Sequence, residues 1–288
     1  MKSSRSAGFA DRFSFGSKSA FPVLLGLCLF VSLLFSLRIA QVDPRLLVER
    51  EALANLVRFV RGMFPPELSR SFLSVLGPAV VETIQLSVMG TTVACLFAIP
   101  LGLLATSSLT WSGILHERAG RFHRLLWFGP YALSRALLSL FRSIPELVWA
   151  LLFVRAVGLG PFAGVLALGI SYGGMLGKVY SEILEGVDAH PLEALHSSGA
   201  GRLGIVFYGL LPQALPNLLS YTLYRWECAI RASALLGFVG AGGLGQQIEL
   251  SMRMFQFNEI LTLLGTLFLL VAAVDFTSGR IRAAVVRS

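Results

Sequence analysis

The chain has 288 residues, 55% of them hydrophobic and only 14% charged, with a mean hydropathy of +0.73. Soluble domains carry about a quarter charged residues. This composition therefore excludes a water-covered surface and points to long segments in lipid, where only helices or closed barrels satisfy the backbone. The apolar runs are long and unbroken, which selects helices over a barrel. The net charge of +8 sits at the ends of apolar segments. It reads as a membrane-orientation signal and not as a nucleic-acid surface.

Six transmembrane helices are predicted, in an all-α integral membrane fold. Residues 1–19 form a basic tail with Lys2, Arg5, Arg12 and Lys18, and the first span covers 20–37. No small-x-small cleavage site follows it, so it is read as an uncleaved span and not a signal peptide. Residues 38–76 form an external segment that mixes Arg45, Glu49, Arg50, Glu51, Arg58 and Arg61 with Leu46, Leu47, Leu53, Leu56, Val57 and Val60. That spacing suits an amphipathic helix on the membrane surface. A core domain is expected over 77–276. Its first span, 78–106, contains Pro100 and is expected to kink or tilt. The next lies within 124–157, is interrupted at Pro145, and has an amphipathic lead-in over 131–141. Further spans follow at 161–184, 215–237 and 260–274, and a C-terminal tail at 277–288.

Arg118, Arg121, Arg124, Arg202, Arg280, Arg282 and Arg287 then share a side with the basic N-terminal tail. An excess of arginine and lysine marks the cytoplasmic side, giving N-in and C-in. Cys28, Cys95 and Cys228 lie inside apolar runs and are read as packing residues. His116, His123, His190 and His196 lack ligand spacing, and no metal site is expected.

The loop 188–213 between the fourth and fifth spans has a shape that local physics predicts. Pro191 suits the first turn of a short helix, Gly199 can stop it in the left-handed conformation, and Pro212 marks a second break. A second short helix is expected from Ala200 toward Leu211. Glu193, Ala194, Gly199, Leu211 and Pro212 stand at the spacing of the EAA loop of ABC importer permeases, which this segment resembles. Two positions depart from that pattern: Leu195 replaces an alanine and Gly209 an isoleucine. The resemblance implies a type I permease fold in a bacterial inner membrane, with a cytoplasmic coupling helix that docks on a separate ATPase. It also implies an external solute-binding protein, and a second permease copy as the simplest partner within the lipid.

The resemblance extends to Arg142-Ser-Ile-Pro145 and to Gly240-Ala-Gly-Gly-Leu-Gly245. The latter matches a nucleotide-binding glycine pattern, but no strand or βαβ unit surrounds it. Gly240, Gly242, Gly243 and Gly245, like Pro145, are read as hinge or packing positions. Phe64-Pro-Pro-Glu-Leu-Ser69 and the segment from Tyr224 to Ser233 are similar to phosphonate and phosphite permeases. An oxyanion substrate is the implication.

Charge inside a span is expensive and faces protein or water. Arg142, Arg225, Glu227 and Arg231 are therefore candidates for the translocation path. Glu227 and Arg231 are four residues apart and can pair, which frees Arg225 for an oxyanion. A set of purely structural pairs with other spans is the equal alternative.

No phosphate-binding loop is present, since Gly173 to Lys178 is followed by Val179 with the wrong glycine spacing. The chain is thus expected to hold no cofactor and to perform no catalysis, with ATP and Mg bound by the partner. Rival readings are a methionine permease of the same class, an ion-driven secondary transporter and a membrane enzyme. The second lacks the expected internal repeat, and the third lacks convergent catalytic groups.

Overall fold

The computed structural model describes residues 20–39, 49–110 and 121–287, which are helical wherever they are regular and contain no strand. The tail 1–19, residues 40–48 and residues 111–120 with His116 and Arg118 lie outside the described residues, as do the side chains of Arg121, His123, Arg124 and Arg287. The chain divides into two units at Arg61 and Gly62. The first holds α1 (Ala20–Ile39) and almost all of α2 (Arg50–Gly62). α1 is apolar on every side and none of Pro22–Ile39 is buried, the form that lipid asks of a helix. In α2, Leu53, Leu56, Val57 and Val60 recur at helical intervals beside Arg50, Glu51, Arg58 and Arg61, and no residue is buried.

The second unit comprises α3 (Arg70–Leu104), α4 (Ser107–Thr110), α5 (Arg121–Ser143), α6 (Glu146–Val157), α7 (Pro161–Glu185), α8 (Ala189–Ser197), α9 (Arg202–Ile205), a π-helical turn (Val206–Leu210), α10 (Leu211–Gly237), α11 (Gly243–Arg253) and α12 (Phe257–Arg287). Among the described residues five helices are long and apolar enough to cross a membrane, and the bent pair α5–α6 makes a sixth if counted as one span. α3 starts at Arg70, eight residues before the expected 78, because the Ser69 hydroxyl caps it by accepting from the Phe72 N–H at 3.3 Å. Pro78 and Pro100 are carried inside the helix.

α7 is the central strut. In lipid, helices gain little from hiding apolar surface, so association depends on close packing of small residues. α7 supplies them on two faces. A Cβ on Gly173 would lie 3.3 Å from the Ala94 carbonyl of α3, and one on Gly174 would lie 2.9 Å from the Leu138 carbonyl of α5. Leu86, Ala94, Ala98, Leu168, Leu176 and Leu236 fill the core around it.

The predicted interruption at Pro145 is an 89° bend between α5 and α6. Proline has no N–H to give the Phe141 carbonyl four residues back. The Trp149 indole N–H donates to that oxygen instead, at 3.2 Å.

Residues 277–287, expected as a C-terminal tail, are helical and continue α12. One expected pairing is corrected. Glu227 does not pair with Arg231, because its side chain faces α12 and accepts from Arg282 Nη2 at 2.7 Å. Arg231, one turn on, lies 3.8 Å from Asp275 instead. Glu227 is only 5% exposed. Removing one partner of a buried pair leaves the other charge uncompensated. Arg282→Ala should therefore destabilise the solubilised protein by about 3–5 kcal/mol, read as a lower thermal midpoint. Adding Glu227→Ala should recover much of that loss; equal losses in the single and double variants would refute the pairing.

Candidate functional site

The loop between α7 and α10 builds a short helix held against the bundle on one face only. Asp188 caps α8 by accepting from the His190 N–H at 3.1 Å. Gly199 ends it at φ +85°, where a side chain would be strained. The Gly199 N–H donates to His196 O at 3.0 Å and the Ala200 N–H to Leu195 O at 3.1 Å, the paired bonds of a Schellman stop. Leu192 and Leu195 turn inward, whereas Glu193, Ala194 and Ser197 are exposed. Leu192 packs with Leu109, Leu184, Val187, Leu210 and Ala214 in a small separate core. The outer face of α8 is thus exposed.

The two departures from the EAA pattern meet in this core. A Cβ on Gly209 would lie 2.9 Å from Leu195 Cδ1 and 2.6 Å from Leu192 Cδ2. Leu192 and Leu195 together occupy the space that the missing Gly209 side chain leaves. Both departures face inward, and the exposed face keeps Glu193 and Ala194. Leu211 and Pro212 open α10 directly after the π-helical turn, so the expected break at Pro212 is a wider helical turn and not a loop.

The glycine run after α10 is a tight reversal. Gly240, Gly242 and Gly243 have φ of +88°, +89° and +71°. A Cβ on Gly245 would lie 1.8 Å from the Ala234 carbonyl, closer than any rotamer could relieve. Gly242 caps α11 but offers no side chain, so the free N–H groups are met from α3: Gly243 N–H donates to Glu82 Oε2 at 2.8 Å and Leu244 N–H to Thr83 Oγ1 at 2.9 Å. Sequence reasoning missed Glu82 and Thr83. The signal was available, since a carboxylate within an apolar span calls for a partner.

Phe64 to Ser69 also acquires a structural role. Glu67 joins the starts of α3 and α12: its Oε2 accepts from Asn258 Nδ2 and its carbonyl from Thr262 Oγ1, each at 2.9 Å. The Ser69 hydroxyl and N–H beside it hold its carboxyl below the usual range.

Of the path candidates, Arg142 is exposed at the end of α5 and meets no carboxylate among the described residues. Arg225 is partly buried between α10 and α7. Its Nε donates to the Tyr221 hydroxyl at 2.9 Å, and its guanidinium lies 5.4 Å from the Tyr221 ring centre and 5.5 Å from that of Tyr172. Arg231, on the same helix, points to Asp275 of α12, and among the described residues no hydrogen bond or ion pair links Arg142 to Arg225 or Arg231.

The second unit is thus a membrane-crossing bundle around one small-residue helix, with a capped short helix at the end of that strut. The chain belongs to the family of binding-protein-dependent transport system inner membrane components, which matches residues 129–287. It is a multi-pass inner-membrane permease subunit of the ABC importer class. The phosphite transport system permease protein PtxC of Stutzerimonas stutzeri is 33% identical over 264 residues, 91% of this chain and 86% of that protein. HtxC of the same organism, which carries a provisional phosphite assignment, is 40% identical over 233 residues, 80% of this chain and 76% of that protein. Among solved structures, the inward-facing MetNI methionine ABC transporter matches with a TM-score of 0.63 and 26% identity, covering 76% of this chain and 99% of that one.

Restoring isoleucine at Gly209 alone should prevent α8 from seating and lower the yield of folded permease. Gly209→Ile with Leu195→Ala should regain part of that yield in size-exclusion profiles, the contact with Leu192 remaining. A single variant as well behaved as the native protein would show that the two positions do not compensate.

Proposed function

We propose that this chain carries phosphite- or phosphonate-type oxyanions inward, with both termini cytoplasmic. A separate ATPase that binds ATP and Mg docks on α8, an external solute-binding protein delivers the substrate, and a second copy of the chain completes the path. The observation that carries the substrate reading is Arg225. Arg231 lies near Asp275 and Arg282 meets Glu227, but among the described residues Arg225 forms no ion pair and hydrogen-bonds through its side chain to the Tyr221 hydroxyl. A guanidinium without a carboxylate keeps N–H donors for a tetrahedral oxyanion, and its planar fork suits such a ligand. The phosphite assignments of PtxC and HtxC support the same substrate class. The fold shared with a methionine transporter makes methionine the alternative cargo.

The deciding assay is labelled phosphite uptake into cells that express the chain with its ATPase and binding protein, with alkylphosphonate, phosphate and methionine as competitors. Arg225→Ala should lower uptake about tenfold or more while the complex still assembles, and Arg225→Lys should recover part of it. Uptake unchanged in Arg225→Ala would remove this residue from the path, and competition by methionine alone would replace the oxyanion reading.

Docking through α8 is tested separately. Glu193→Lys or Gly199→Asp should abolish uptake with membrane insertion unchanged. The first inverts the charge on the exposed face, and the second puts a side chain at a positive φ. Native uptake by the Glu193 variant would show that α8 does not couple the two subunits.

A further inference from the structure

The strut α7 ends on an ion pair that no sequence motif marked. Arg135 of α5 reaches Glu185, the last residue of α7, through Nη2 at 2.9 Å from Oε1 and 3.0 Å from Oε2. Its Nε donates to the Ala105 carbonyl at the end of α3, at 3.1 Å. Glu185 Oε1 also accepts from the Ser107 N–H at the start of α4, at 2.7 Å. The Arg135 guanidinium lies 5.1 Å from the centre of the Tyr131 ring. One arginine and one carboxylate therefore join α3, α4, α5 and α7. Glu185 stands three residues before Asp188, the cap of α8.

We propose that Arg135 and Glu185 are positioning residues for coupling, passing displacement of α8 to α3 and α5. The inference rests on α8 being the ATPase-docking helix. Between α8 and the spans, the chain offers two connections. On one side α9 and the π-helical turn run straight into α10. On the other, only Gly186 and Val187 separate Glu185 from the Asp188 cap, so a shift of α8 loads the carboxylate first. The carboxylate is held by one guanidinium nitrogen and by a backbone N–H, charge-assisted bonds about twice as strong as neutral ones. Its partners are Arg135, midway along α5 and itself bonded to the end of α3, and Ser107 at the start of α4. A joint of this kind moves the ends of α3 and α7 together with the middle of α5. Without it, α8 can rock while those ends stay behind, and ATP is hydrolysed without transport.

The test uses the assembled complex of this chain with its ATPase and binding protein in proteoliposomes, reading ATP hydrolysis and labelled phosphite uptake together. Arg135→Ala and Glu185→Gln should each keep most of the hydrolysis while uptake per ATP falls about tenfold. The double variant should fall no further, as expected of two residues that act through one bond, and Arg135→Lys should recover part of the ratio. A native ratio in either single variant, or additive losses in the double, would overturn the proposal. If Arg135→Ala fails to assemble, Glu185→Gln preserves the shape and reads the same ratio; failure of all three to assemble would assign the pair a purely structural role. Glu193→Lys serves as the reference. Coupled transport persisting in that variant would fail the docking reading itself, whereas uncoupling there with native coupling in the Arg135 and Glu185 variants would fail only the clasp.

Discussion

Most of this structure depends on how closely α7 lets other backbones approach. Water drives soluble helices together, but lipid tails are as apolar as leucine, and contact must come from dispersion between atoms that fit. α7 meets this by leaving out side chains where α3 and α5 cross it. Because those crossings are backbone on backbone, they fix the heights of the neighbouring helices along the strut. The Trp149 contact across the Pro145 bend, the reversal after α10 and the seat of α8 are each set against that frame. Polar contacts such as the bond from Tyr180 to Thr222, at 2.5 Å, add direction to the core between α7 and α10.

The sequence made the strongest periodic features readable. The first and fourth spans come within two residues of their expected ends, since each is bounded by a proline, a glycine or a charge. Gly199 was legible for a similar reason, as a short helix before a glycine has few ways to end. What escaped was long-range pairing. Nothing local says that Glu227 meets a residue 55 positions later, or that a helix starting at Gly243 is capped from 161 positions earlier. Spacing favoured Arg231 for Glu227 because a helix face was the only geometry the sequence supplies. The early start of α3 escaped because the span was begun at Pro78, although helices in lipid tolerate proline within their length and α3 carries both Pro78 and Pro100.

The short core under α8 shows how a motif can drift without losing its role. A family pattern states residue types position by position, whereas packing constrains their summed volume. Leu195 sits where a side chain at Gly209 would press on it and on Leu192, so the two departures are matched in volume. The exposed positions Glu193 and Ala194 lie outside that packed core, and there the pattern stands unchanged.

The bond between Arg282 and Glu227 bears on biogenesis. Chains enter the membrane from the N-terminus, so α10 is made well before the arginine that neutralises its carboxylate. α3, by contrast, already carries Glu82 when α11 emerges, and that cap can form at once. α10 must wait with a costly group in apolar surroundings, or lie beside the insertion machinery, until α12 follows. Truncation within α12 therefore removes more than a terminal helix: it withdraws the counter-charge on which the permanent placement of α10 rests.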